Sequence, residues 1–170
     1  MEAESVFAES NGGRQPTKPG KAKCPVMLAL STFRQSDRTV ELALQMAAPC
    51  KKLFITYVVD ANLARYLIGT DIGFYPELKE KCEQELLREH EQKGAEKVEV
   101  IAARARQQGI ETNVCIRVGR FALVCMDEIG QHKPSAVITT RSHRPRWVKK
   151  LFGSPVDYLI AHAGCPVIEA

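Results

Sequence analysis

Short apolar runs alternate along the chain with longer stretches in which apolar residues recur every three or four positions. The runs are PVMLAL (25–30), LFITYVVD (53–60), ETNVCIRV (111–118), SAVITT (135–140) and CPVIEA (165–170). Their length, their β-branched and aromatic content and their flanking turn residues predict strands, most of them apolar on both faces and so buried between layers. The stretches between them predict helices. In SDRTVELALQMAAP (36–49), Val40, Ala43, Leu44 and Ala47 fall at i, i+3, i+4 and i+7, with Ser36 as N-cap and Pro49 as the stop. From Pro76 to about Gln108 a stripe of Leu78, Cys82, Leu86, Val98, Ile101, Ala102 and Ala105 predicts a long helix, loosened at Gly94 and ended by Gly109. FALVCMDEIGQH (121–132) predicts a helix with Leu123, Met126 and Ile129 inward, broken by Pro134. A last helix starts where Ser154 serves as N-cap, Pro155 as the first helical residue and Asp157 as an acid in the first turn; Val156, Leu159, Ile160 and Ala163 face the core, and Gly164 ends it. Residues 61–75 read as a short helix followed by a loop.

Strands alternating one by one with amphipathic helices define an α/β fold: a single domain with a five-stranded parallel sheet and helices on both faces. In such sheets ligands bind beyond the carboxyl ends of the strands, where the strand order reverses. The loops following the first and fourth strands, 31–35 and 140–153, belong to that end. The domain spans 24–170. Residues 1–23, rich in Gly, Pro, Ser and Lys, read as a disordered tail without the apolar centre of a signal peptide.

Composition narrows the classes. At 170 residues the chain is long enough for one real core, and 45% hydrophobic with 26% charged residues is ordinary for a soluble protein. No segment approaches a membrane span. The six cysteines form no C-x-x-C pair and have no histidine at metal spacing, so they read as free, buried small hydrophobes in a reducing cytoplasm, with no metal site. A net charge of +4 is mild, so only local clustering of cations bears on function.

One cluster stands out. RSHRPRWVKK (141–150) holds five Lys/Arg and no acid, and Gly153-Ser154-Pro155 follows. It reads as a solvated basic loop anchored by Trp147, Val148, Leu151 and Phe152. The alternatives are an anionic-ligand or protein-partner site and, least supported with a single aromatic, nucleic acid. His143 and Ser154 raise the question of hydrolysis, but there is no G-x-S-x-G elbow and no acid placed to orient His143, so no catalytic residue is assigned.

The element order, VVD closing the second strand, Gly119 after the third, and above all the ending LFGSPVDYLIAHAGCPVIEA resemble the universal stress protein (UspA) family over residues 25–170. The resemblance implies a cytoplasmic stress-response protein, usually a homodimer paired through its last strand. In many members it also implies ATP held by a G-x-x-G-x(9)-G-[ST] loop. Here Gly153 and Ser154 match the end of that motif, and the Val58-Val59 backbone matches the adenine side. The two earlier glycines are Thr140 and His143, and the usual acid after the first strand is Ser31. A glycine cradle works because its backbone reaches conformations, and distances from a phosphate, that a Cβ obstructs. Losing two charge-assisted hydrogen bonds costs about 3–6 kcal/mol, or about two to four decades of affinity. Arg141, Arg144 and Arg146 pull the other way, since guanidinium forks suit phosphates. The expectation is a stress-protein-like regulator or interaction protein without tight ATP binding, no expected cofactor, and no dedicated catalysis; the alternative is a nucleotide-binding member whose arginines replace the glycines.

Overall fold

The computed structural model describes residues 25–62, 76–141 and 154–170. Along the chain these form β1 (Val26–Ser31), α1 (Asp37–Ala47), β2 (Lys52–Asp60), α2 (Pro76–Gln107), β3 (Glu111–Gly119), α3 (Phe121–His132), β4 (Ala136–Thr139), α4 (Pro155–His162) and β5 (Val167–Glu169). The predicted tail, residues 63–75 of the predicted short helix and loop, and the basic stretch from Ser142 to Gly153 lie outside the described residues.

All five strands are parallel and lie in the order β3-β2-β1-β4-β5. β1 is central because its residues are apolar on both faces: Val26, Leu28 and Leu30 join one cluster, while Met27 and Ala29 join the other. The first cluster is closed by α1 and α2 through Val40, Ala43, Leu44, Val98, Ile101 and Ala105. The second is closed by α3 and α4 through Phe121, Val124, Cys125, Ile129, Val156 and Leu159. The sheet therefore divides two cores, and right-handed crossovers place successive helix pairs on opposite faces.

Most predicted elements form within a residue or two of their expected ends. The long helix does not loosen at Gly94. It continues through it, and Gly94 is buried because Tyr57 of β2 packs where its Cβ would stand, 2.5 Å from the nearest ring carbon. At the helix end, Gly109 takes the left-handed conformation at φ +71°, as a C-terminal stop requires.

Three expectations need correction. The inward face of α3 carries Phe121, Val124, Cys125, Glu128 and Ile129, whereas Leu123 is 57% exposed. Ile160 of α4 also faces outward, at 52%. The cysteines are not uniformly buried free thiols. Cys125 is buried, Cys82, Cys115 and Cys165 are half-buried free thiols, and Cys50 is disulfide-bonded.

Candidate functional site

The strand order reverses between β1 and β4, since the chain leaves β1 for β2 on one side and later returns to β4 on the other. Their carboxyl ends, Ser31 and Thr139, open the crevice in which such sheets take ligands. Several predicted residues converge here. Ser31 is 3% exposed, and its Oγ accepts a hydrogen bond from the Phe33 amide at 3.3 Å. Val59 is fully buried in β2, and the Val58 carbonyl already accepts from the Thr32 amide at 3.2 Å. Thr140 directly follows β4 and is 8% exposed.

The residue that closes this end is Arg34, which the sequence reading did not single out. Ser31 and Arg34 exchange backbone hydrogen bonds of 3.1 and 3.0 Å, a tight turn that folds the chain back over the end of β1. Arg34 is left only 3% exposed. Its guanidinium donates to the Thr140 carbonyl at 3.2 Å and lies 4.6 Å from the centroid of the Phe121 ring. A buried cation is costly without partners; a carbonyl and an aromatic face both offset that cost. The arginine of the first loop is thus fastened to the residue standing where the family's first loop glycine is expected.

Beside it, burial pushes the Cys125 thiol up to about 12, with the positive charge of Arg34 as the leading opposing influence. Cys125 is accordingly a neutral, unreactive thiol at physiological pH.

The predicted phosphate fork Arg141 is committed elsewhere. Its Nε donates to Glu169 Oε2 at 2.5 Å, and an Nη lies 3.6 Å from Asp157 Oδ1. These contacts join the end of β4 to β5 and to the first turn of α4. The Glu169 hydrogen bond, and then its charge, hold the Arg141 pKa above the ordinary guanidinium value. Ser154 is the N-cap of α4, its Oγ accepting from the Asp157 amide at 3.3 Å, as its sequence context predicts. His143, Arg144, Arg146 and Gly153 lie outside the described residues, so the arrangement places Ser31, Val59, Thr140, Arg141 and Ser154 only. Among the described residues, no group of three or more His, Cys, Asp or Glu is disposed to hold a metal, and no helix is long and apolar enough to cross a membrane.

The profile of the universal stress protein family matches residues 24–168. The chain belongs to the universal stress protein family. Among solved structures it is similar to the universal stress protein UspA from Lactobacillus plantarum, at 16% identity and a TM-score of 0.65 over 85% of this chain and 95% of that one. It is also similar to the hypothetical protein MJ0577, at 18% identity and a TM-score of 0.60 over 85% and 94%. At these identities the likeness is one of fold. A search of the curated proteins gave no match.

Proposed function

We propose that this universal stress protein acts as a homodimeric regulator or interaction protein, without dedicated catalysis and without tight binding of ATP. The observation that carries this reading is Arg34, buried at the switch point and bonded to the Thr140 carbonyl. A nucleotide entering between β1 and β4 has to displace a guanidinium from an aromatic face and a carbonyl, and then meets Thr140 in place of a glycine. Arg141 supports the same reading, because its fork is already occupied by two carboxylates.

The experiment is a melting curve with Mg-ATP. A micromolar site at about 1 mM ligand adds about 4 kcal/mol of stability, worth roughly 8–16 °C for a chain of this size. We expect a shift below about 2 °C in the wild type. The variant Arg34→Ala vacates the crevice and should show the larger response of the two. A wild-type rise of the full magnitude overturns the reading and favours a nucleotide-binding protein in which arginines replace the glycines.

A further inference from the structure

On the face of the sheet covered by α1 and α2, an open recess of about 280 Å³ is lined by residues that include Leu30, Gln35, Asp37, Val40, Tyr57, Lys97, Ile101 and Arg104. This is space for about nine waters at ~30 Å³ each, which suits a ligand smaller than a typical drug. Its floor is apolar, from Leu30 and Val40 on one side and Ile101 on the other, and all three are buried. The Tyr57 hydroxyl belongs to the same lining and accepts from Gln35 Nε2 at 3.1 Å. Burial raises the phenol above its ordinary pKa, so it remains protonated.

The charges at the rim are unequal in their commitments. Arg104 is paired with Glu41. Among the described residues, the hydrogen-bond partner of Lys97 is neutral: it donates to Gln35 Oε1 at 2.6 Å. Asp37 has no cation bonded to it among the described residues, although Lys97 lines the same cavity. One cation on α2 and one carboxylate on α1 therefore face a shared apolar recess without an ion pair between them. Helix geometry maintains this arrangement: Lys97, Ile101 and Arg104 follow at i, i+4 and i+7, so the face that supplies the apolar wall also carries the cation.

We propose that this cavity is a binding site for a small zwitterion with an apolar body, of the class of a free α-amino acid with a large apolar side chain. Its carboxylate meets Lys97, its ammonium meets Asp37, and its side chain covers Leu30, Val40 and Ile101. The site is on the opposite face from Arg34's ring contact and does not depend on whether ATP binds.

The test uses the full chain labelled with nitrogen-15 and three probes of one shape: L-phenylalanine, 3-phenylpropanoate and 2-phenylethylamine. L-Phenylalanine should move the amide resonances of Asp37–Val40 and Lys97–Arg104. Each singly charged analogue should bind about two- to fivefold more weakly, the upper part of the range for one exposed charge contact. Lys97→Gln should weaken L-phenylalanine and 3-phenylpropanoate but spare 2-phenylethylamine, and Asp37→Asn should do the converse. A merely structural role for either residue cannot produce that crossed pattern. The proposal is overturned if no amide in the two segments moves at about 10 mM L-phenylalanine. It is equally overturned if either analogue matches L-phenylalanine, or if the two variants weaken all probes alike.

Discussion

Arg34 and Cys125 show how far single residues depend on neighbours distant in sequence. Ser154 was legible as a helix cap because everything that makes it one lies within three residues. Arg34 was not, since an arginine in a short polar loop is solvated by default. Its burial is decided by Phe121 and by the Thr140 carbonyl, which only the strand order brings to it. Cys125 gives a titratable readout of the same region. Its folded pKa of about 12 lies well above the ordinary thiol value of about 8.5, so the unfolded chain releases this proton first. The contribution to stability is constant below about pH 8.5 and is lost as pH rises toward 12. Cys115 acts with the same sign, pushed up to about 11 by burial and then by its hydrogen bond to Glu128. The melting temperature should therefore fall between about pH 9 and about pH 11, and Cys125→Ala should flatten that fall while costing about 1 kcal/mol at neutral pH. An equally steep decline in the variant would assign the alkaline loss to other groups.

At the scale of elements, helices and strands could be located from periodicity, but the rotation of α3 could not. Its true inward stripe includes Glu128, and an acid within a stripe reads as the solvent face. Glu128 is only 5% exposed because β3 and α3 supply it with donors: Cys115 Sγ at 3.3 Å, Arg117 at 3.2 Å and His132 at 3.3 Å. His132 stands at i+4 on the same helix, but Cys115 and Arg117 belong to β3 and are not visible from the helix pattern, so the sequence places Leu123 inward instead. Gly94 is the second instance. A glycine inside a helical stripe suggests weakness, whereas here it admits the Tyr57 ring against the backbone of α2. Gly94→Ala should gain up to about 1 kcal/mol from helix propensity and lose more, about 1–3 kcal/mol, by overpacking. The expected outcome is a net loss in denaturant unfolding, largely recovered when Tyr57→Leu is added. Stabilisation by Gly94→Ala alone would mean that the ring moves aside freely.

At the scale of the whole molecule, the alternation of elements was sufficient to give the parallel sheet and its ligand-binding end, because crossover handedness leaves few arrangements. What covers β5 lies beyond a single chain. The Val137 amide donates to the Pro166 carbonyl and the Ala170 amide to the Thr139 carbonyl. The two-residue period of a strand then turns the Val167 and Glu169 amides away from β4, toward the open edge. In the proposed dimer, Val167→Pro removes one of those donors and should shift sedimentation toward monomer, whereas Val167→Ala, which keeps the amide, should not. A wild type that sediments as a monomer at about 10 µM would exclude the dimer. The length of α2 has a mechanical consequence. Its 32 residues span ~48 Å, yet its buried positions all lie from Gly94 onward. Leu86 and Leu87 still pack on the first core, so the stretch from Pro76 to Glu85 forms an arm of ~15 Å, stiffened by pairs such as Lys79–Glu83 rather than by buried positions. The packing of Leu86 and Leu87 on the core is the fulcrum of that arm, and a rotation of ~10° about it sweeps the far end through ~3 Å.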